Sequence, residues 1–272
     1  MSDAQHQREI VQVDLHSHIL PGVDDGAPDL ATALAMARLA AADGTRIIAA
    51  TPHAHLCPVE EVAPAVAALN AAIQQAGIPL TVIPGREEQL TADLAERLVA
   101  GRALPLGESR AVLAELPNWR QWPADIVERA RQVQAAGYQL ILAHPERYDP
   151  VQADPAIVQP LVACGVLLEI NADSLLGANG PAAQATGEQL LRAGLAHLLA
   201  SDAHGTGPRA PLLSPAFAHL ATVLGPTVAF ALQYRAAQII FQQEGEQDGE
   251  QRRTVQRLDY DNSDAILSRR CR

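Results

Sequence analysis

The stretch that decides the fold is residues 10–26, IVQVDLHSHILPGVDDG. Its first part, 10–15, is mostly β-branched or aliphatic, which predicts a short buried strand. Polar side chains follow at once: His16 and His18 lie two positions apart, and Asp24 and Asp25 come near the end. In an extended chain the side chains at i and i+2 share one face, so both imidazoles can face one ion. The stretch therefore predicts a strand that ends at a functional site.

Short apolar runs alternate with helical patterns along the rest of the chain. Strands are predicted at 10–15, 46–50, 80–83, 111–116, 139–143, 166–170 and 197–200, which makes seven. Helices are predicted at 30–44, 59–75, 91–100, 123–136, 155–163, 181–193 and 215–243. Nearly continuous apolar strands separated by helices are typical of a parallel sheet with crossover helices. We therefore predict an α/β fold.

The chain is long enough for one large α/β domain, and no linker divides it. It has 272 residues, of which 48% are hydrophobic and only 3% aromatic, so an ample aliphatic core is expected. We predict a single domain over residues 10–243, preceded by an N-terminal extension at 1–9. Residues 244–272 are rich in Glu, Gln, Asp and Arg, which predicts a polar, disordered C-terminal tail.

Composition argues against several classes of protein. The three cysteines, Cys57, Cys164 and Cys271, form no CxxC pair, so no disulfide framework or thiolate zinc site is expected, and a cytoplasmic location fits. A formal charge of −11 repels phosphate backbones, so no nucleic-acid partner is expected. No segment has the apolar length that spans a bilayer, so we expect no membrane insertion. The oligomeric state is left open.

Every predicted strand ends in polar side chains. Parallel strands of a barrel bring their carboxyl ends to one face, where barrel enzymes place their active sites. The candidates at these ends are His16, His18, Asp24, Asp25, His53, His55, Glu87, Glu88, Glu115, His144, Glu146, Arg147, Glu169, Asn171, Asp173, Asp202 and His204. Imidazoles and carboxylates without thiolates suit zinc, iron or manganese, and so many ligands exceed the need of one ion. Two or three divalent metal ions are therefore expected.

A lone histidine on a strand is more often structural than a ligand, and we give His6, His197 and His219 that interpretation. Chance placement of eight polar residues at seven consecutive strand ends is a poor explanation of the remaining pattern.

Six motifs carry a resemblance to a known family: DLHSHILPGVDDG, TPHAH, PGREE, LAEL, LAHPERY and SDAH. In order and spacing they resemble the PHP (polymerase and histidinol phosphatase) superfamily. Within it the chain is most similar to the manganese-dependent bacterial tyrosine phosphatases of capsule and exopolysaccharide operons, over residues 10–243. The resemblance implies a distorted seven-stranded (β/α)7 TIM-like barrel and a centre of three metal ions. It implies Mn²⁺ as the ion, with Fe or Zn²⁺ as alternatives.

The resemblance also implies a distribution of ligands over the three ions. The first ion takes His16, His18, Glu87 and Asp202. The second takes Glu87 as a bridge with Glu115 and His144, and the third takes Asp25, His53 and His204. Asp24 is an alternative to Asp25. His55 and Glu88 are assigned to no ion and are expected to lie next to the ligands or at the surface.

The implied reaction is attack of metal-bound hydroxide on a phosphotyrosine. Arg147 and Arg209 are predicted to bind the phosphoryl oxygens, since a guanidinium matches phosphate bidentately. Alternatively, Arg147 pairs with Glu146 or Asp149 at the surface, and Arg209 caps a Gly-rich loop. Trp119 and Trp122 are candidates for an aromatic wall around the phosphotyrosine ring, or for packing.

The implied substrate is a tyrosine-phosphorylated protein, namely a cognate bacterial tyrosine kinase of polysaccharide export. Two alternatives stay open: a small-molecule phosphatase such as histidinol phosphatase, and a non-catalytic, metal-bound regulator of a kinase. A thiol-based phosphatase is not expected, because neither Cys57 nor Cys164 has an arginine at the required spacing.

Overall fold

Eight parallel strands form the framework of residues 11–241. The computed structural model describes residues 11–241, so the predicted extension at 1–9 and the predicted tail at 244–272 lie outside the described residues. The strands are β1 Gln12–Asp14, β2 Thr45–Ala50, β3 Thr81–Pro84, β4 Glu87–Gln89, β5 Ala111–Glu115, β6 Gln139–Leu142, β7 Leu167–Asn171 and β8 Leu198–Ala200. Each predicted apolar run overlaps one of them within a residue or two, and all pairings are parallel. The predicted single-domain α/β fold with parallel strands is confirmed.

The strands form two sheets, with orders β1-β2-β3 and β4-β5-β6-β7-β8. Residues 11–241 thus contain eight strands where the sequence predicts seven. The difference arises at Gly85, where the chain between β3 and β4 changes partner, because β3 pairs with β2 whereas β4 pairs with β5. A Cβ at Gly85 would lie 2.7 Å from a methyl carbon of Leu106, so any other residue here would require the Leu106 side chain to shift.

Two isolated β-bridges among the described residues connect the two sheets. Ser17, just beyond β1, bridges Ala203, just beyond β8, and His53, beyond β2, bridges Glu87 in β4. The His18 amide donates to the Ala203 carbonyl at 2.8 Å, and the Glu87 amide donates to the Pro52 carbonyl at 3.2 Å. The polar residues that follow β1, β2 and β8 are thereby held beside β4.

Helices lie between the strands. They are α1 Leu30–Ala42, α2 Val59–Gln75, α3 Leu94–Val99, α4 Ile126–Ala135, α5 Asp149–Ala153, α6 Gln159–Ala163, α7 Ala172–Leu175, α8 Gly180–Arg192, α9 Ser214–Val223 and α10 Pro226–Phe241, with 3-10 helices at Pro145–Arg147 and Pro155–Val158. The helix predicted at 215–243 is wrong as one element: Gly225 has φ of +96° and Pro226 follows, so the chain forms α9 and α10. The helix predicted at 155–163 is likewise a 3-10 helix followed by α6. Within residues 11–241, no helix has the length and apolar character needed to cross a bilayer.

One apolar cluster is built from side chains of strands in both sheets. Its members from the strands include Val13, Ala49, Leu113, Ile141 and Leu198, all buried, with Ile83 and Leu167 packed against them. Ala236 and Ala237 of α10 belong to the same cluster. Helix α10 contacts β1 and β8 and packs on this cluster. The polar residues follow the carboxyl ends of the strands.

Candidate metal centre

His16 and His18 lie at the centre of a buried polar cluster, at the end of β1. Both side chains are fully buried and their Nε2 atoms are 3.4 Å apart. Each Nδ1 faces a carboxylate: that of His16 lies 3.2 Å from Glu169 Oε2, and that of His18 lies 2.6 Å from Asp24 Oδ2. These contacts fix the orientation of both rings and leave both Nε2 atoms facing the cluster.

Four imidazoles surround the carboxylate of Glu87. Its side chain has no exposed surface. Oε1 lies 2.9 Å from His144 Nε2 and 3.6 Å from His16 Nε2. Oε2 lies 2.8 Å from His53 Nδ1 and 3.7 Å from His18 Nε2. Glu88 points away from these histidines because side chains alternate along a strand, and it pairs with Arg86 and Arg97 instead.

Asp202 connects the imidazoles to two arginines. Its Oδ1 lies 3.4 Å from the Nε2 atoms of both His16 and His18. Its Oδ2 accepts hydrogen bonds from Arg147 Nη1 at 2.9 Å and from Arg209 Nη2 at 2.7 Å. The alternatives for both arginines, a surface ion pair and a loop cap, do not describe these contacts.

Two residues of the cluster have strained backbones. His144 has φ of +37° and Asp202 has φ of +49°, and within residues 11–241 no other non-glycine residue has a positive φ. Such conformations cost about 1–3 kcal/mol each and persist where surrounding contacts impose them, often at functional sites. Here the turn after β6 directs the His144 ring at Glu87, and the turn after β8 places Asp202 between histidines and arginines.

Asp25, His53 and His204 form the outer part of the cluster. Asp25 Oδ1 lies 3.5 Å from His53 Nε2 and 3.4 Å from His204 Nε2. Asp24, the alternative to Asp25, is occupied otherwise: besides His18, its oxygens accept hydrogen bonds from the backbone N–H groups of Gly26 and His53. The geometry therefore favours Asp25 as the side chain available to an ion.

The loop that holds both aspartates lies directly against His18. A Cβ at Gly26 would lie 2.0 Å from the carbonyl oxygen of His18 and 2.5 Å from its Cβ. Any side chain at this position would push the loop away from the cluster.

Glu115 lies between His53 and Trp119. Its Oε1 lies 3.5 Å from His53 Nδ1, and its Oε2 accepts a 3.0 Å hydrogen bond from the Trp119 indole N–H. The Trp119 ring lies under the guanidinium of Arg147, with 4.4 Å between Cζ and the ring centre. Trp122 lines a different cleft of about 520 Å³ with Leu116, Pro123 and Arg129.

The structure brings all nine predicted ligands together. Ligand atoms within 4.8 Å of one another occur in five sets: His18, Asp25, His53 and His204; His16, His18 and Glu87; His16, His144 and Asp202; Glu87, Glu115 and His144; and His53, His55 and Glu115. His55 is exposed and lies at the rim. The three predicted structural histidines are elsewhere or not described: His197 Nδ1 accepts from the Leu168 amide, His219 pairs with Glu188, and His6 lies outside residues 11–241.

The carboxylates give the cluster a strong affinity for positive charge. Burial disfavours every charged form here, yet the His16 imidazole holds the pKa of Glu87 and that of Asp202 well below their usual ranges. Burial is also outweighed at His53, where Glu115 and Glu87 raise the pKa to about 10. In contrast, burial and the neighbouring His18 lower the pKa of His204 to about 4. Protons or cations therefore supply the compensating charge.

Orphaned polar atoms indicate that cations suit the cluster better than protons do. Glu87 Oε2, His53 Nδ1 and His144 Nδ1 are buried without a hydrogen-bond partner among the described residues. Glu87 Oε2 and His53 Nδ1 are 2.8 Å apart but are not aligned for a hydrogen bond. Buried polar atoms without partners are costly, and a shared divalent ion would satisfy both.

Three residues that the sequence named as candidates, without predicting their partners, hold the cluster in place. Glu169 faces His16, Asp24 faces His18, and Asn171 Nδ2 donates to Asp202 Oδ2 at 2.7 Å. A signal existed for two of them, because Glu169 and Asn171 occupy positions i and i+2 of β7 and so share a face.

Several known proteins are similar to this chain. The family model for capsular polysaccharide synthesis, CpsB/CapC, matches residues 12–242. The chain is 35% identical to the tyrosine-protein phosphatase YwqE of Bacillus subtilis (strain 168), over 72% of this chain and 79% of that protein. It is 25% identical to the tyrosine-protein phosphatase CpsB of Streptococcus agalactiae serotype V, over 84% of this chain and 97% of that protein.

A solved structure extends the comparison to three dimensions. It comes from the crystal structures of YwqE from Bacillus subtilis and CpsB from Streptococcus pneumoniae, described as unique metal-dependent tyrosine phosphatases. The TM-score is 0.81 at 32% identity, and the match covers 84% of this chain and 94% of the solved chain. By sequence and by structure, the chain belongs to the CpsB/CapC family of capsular polysaccharide synthesis.

Proposed function

We propose that the protein is a metal-dependent phosphomonoesterase that removes phosphate from phosphotyrosine. Its substrate would be a cognate bacterial tyrosine kinase that regulates capsular or exopolysaccharide synthesis, in the cytoplasm. The observation that carries the proposal is the convergence of nine imidazole and carboxylate side chains beside Arg147 and Arg209. Relatives named tyrosine-protein phosphatases supply the substrate class.

The ligand sets support a centre of up to three divalent ions, with Mn²⁺ as the proposed ion. His16, His18, Glu87 and Asp202 would hold the first, and Glu87, Glu115 and His144 the second. Asp25, His53 and His204 would hold the third. Support comes from the distances within each set and from the central position of Glu87, which contacts four imidazoles. When bound, such ions supply an activated water nucleophile and neutralise charge on the phosphoryl group.

The chain's own residues then bind and orient the substrate. Arg147 and Arg209 meet at Asp202 Oδ2 with side chains only partly exposed, so their guanidinium groups border the cluster and can accept a phosphoryl group between them. Asp202 restrains both, which lowers the entropy lost on binding. A phenol leaves with a pKa of about 10, so the leaving group needs little help from a protonated side chain.

The fold proposal that accompanies this function is a distorted seven-stranded barrel of the PHP type. Two observations support it: the bridges from Ser17 to Ala203 and from His53 to Glu87 link the sheets, and β3 and β4 are consecutive pieces of one extended segment. If β3 and β4 are counted as one strand, the ring has seven strands. We propose residues 10–243 as the phosphoesterase domain, with 1–9 as an extension and 244–272 as a tail.

Phosphate release after metal removal and restoration tests the function. The protein is stripped with a chelator, and release from a phosphotyrosyl peptide and from histidinol phosphate is measured with and without Mn²⁺. We expect Mn²⁺-dependent release, faster with the peptide. Faster turnover of histidinol phosphate would favour a small-molecule phosphatase. Tight binding of a kinase peptide without phosphate release would favour a non-catalytic regulator.

A further inference from the structure

Trp119 contacts three members of the proposed active site at once. Its indole N–H donates to Glu115 Oε2 at 3.0 Å, its face lies 4.4 Å from Arg147 Cζ, and its ring centre is 5.1 Å from that of His144. The position of Trp119 is itself fixed, because its carbonyl accepts a 3.0 Å hydrogen bond from the Asp149 amide. The side chain is thus held between the residues after β5 and those after β6.

The hydrogen bond to Glu115 determines which oxygen of that carboxylate faces the centre. An indole N–H is a donor only, so it must use a carboxylate oxygen, and it uses Oε2. Oε1 remains directed at His53, 3.5 Å away. Partners of this kind orient ligands, and their removal costs about 10- to 100-fold in metal affinity.

The stacking contact restrains Arg147. A guanidinium 4.4 Å from the centre of an indole is within the range of a cation–π interaction, and tryptophan is the best partner for it. The same guanidinium donates to Asp202 Oδ2, so the ring supports its face while the carboxylate fixes its edge. These contacts fit a role of Trp119 in supporting Glu115 and Arg147 better than the predicted role as an aromatic wall around the substrate ring.

We infer that Trp119 is a positioning residue that orients Glu115 toward the metal ions through its N–H and holds Arg147 in place through its ring. This inference rests on the proposed function. Its two parts act through different chemistry, so two substitutions separate them. Trp119→Phe removes the N–H but keeps an aromatic face, whereas Trp119→Leu removes both.

The experiment measures Mn²⁺ affinity of the stripped protein by calorimetric titration, and kcat and KM for a phosphotyrosyl peptide at saturating Mn²⁺. Trp119→Phe should weaken the binding of at least one Mn²⁺ by about 10-fold or more and change KM by less than about twofold. Trp119→Leu should weaken Mn²⁺ binding equally and raise KM about three- to tenfold as Arg147 loses its support. Trp122→Phe is the matched control for metal affinity, because it removes an indole from the same loop. No hydrogen bond between Trp122 and Glu115 occurs within residues 11–241.

The double variant Trp119→Phe with Glu115→Gln guards against a purely structural effect. If Trp119 acts through Glu115, the two substitutions together weaken Mn²⁺ binding no more than Glu115→Gln alone. Additive losses, or unchanged Mn²⁺ affinity in folded Trp119→Phe, overturn the inference. If the unaltered protein binds Mn²⁺ but releases no phosphate, the proposed function fails, while the metal titrations still decide whether Trp119 orients Glu115.

Discussion

Glu169→Gln should weaken metal binding although Glu169 is not among the proposed ligands. Its Oε2 lies 3.2 Å from His16 Nδ1 and accepts a hydrogen bond from the His144 amide at 3.3 Å. A glutamine in its place keeps the shape and an acceptor but removes the charge that makes His16 a strong ligand. A charge-assisted hydrogen bond contributes about 1.5–3 kcal/mol and a neutral one about 0.5–1.5 kcal/mol. The difference, about 1–1.5 kcal/mol, corresponds to about a tenfold loss of affinity.

The assay is a calorimetric titration of Mn²⁺ into stripped protein, followed by kinetics at saturating Mn²⁺. We expect one binding event to weaken about tenfold, whereas kcat at saturation should change little because the ligands themselves are intact. Glu146→Gln is the matched control: Glu146 is also a fully buried carboxylate, but it bonds the Asn171 amide and the Ser174 hydroxyl rather than an imidazole. Equal affinities for Glu169→Gln and the unaltered protein would refute the idea that this carboxylate tunes His16.

Three further predictions concern substrate binding, pH and stability. Arg209→Lys should raise KM for a phosphotyrosyl peptide about tenfold without changing Mn²⁺ content. Lysine keeps the positive charge beside Asp202 but cannot bind a phosphoryl group bidentately. An unchanged KM would show that Arg209 does not bind the substrate. Mn²⁺ affinity should rise as the pH increases above about 6.5, the ordinary pKa of an imidazole. Burial of His16 and His144 is outweighed by neighbouring carboxylates that raise the pKa of both, and protons must leave before ions bind. A pH-independent affinity and the absence of proton release in calorimetry would contradict this. Burial lowers the pKa of His197 to about 4. Below about pH 6.5 His197 is therefore protonated in the unfolded chain but stays neutral in the folded protein, so the free energy of unfolding falls as the pH drops toward 4. His197→Asn, which keeps an acceptor for the Leu168 amide, should reduce the loss of melting temperature between pH 7 and pH 5 in stripped protein, and an identical loss in both proteins would be the contrary result.

The strands were predictable where the sequence marks them by apolar residues. Residues 46–50 form β2 as part of Thr45–Ala50, and 139–143 contain β6, because burial on both faces demands aliphatic side chains. Strand β4 was missed for the opposite reason. It consists of Glu87, Glu88 and Gln89, whose burial is sustained by imidazoles and arginines rather than by apolar packing, so hydrophobic patterns carry no signal of it.

The candidate site was predictable in membership but not in geometry. His16, Glu87 and Asp202 were chosen because they follow predicted strands, and the structure places both carboxylates within 3.6 Å of His16 Nε2. The choice between Asp24 and Asp25 could not be made from adjacent identical residues, since it depends on which one the loop turns toward His18. The contact of Trp119 with Glu115 depended in the same way on the path of an irregular loop.

The packing of α10 on the apolar cluster has a consequence for shortened versions of the chain. Ala236 and Ala237 pack in one cluster with apolar side chains such as Val13 and Leu198. A protein that stopped after α9 would retain every proposed ligand and both arginines, yet would open an apolar floor to water. Such a truncated protein should aggregate or unfold less cooperatively on heating. Its aggregation would then result from exposed apolar side chains and not from a change in the metal ligands.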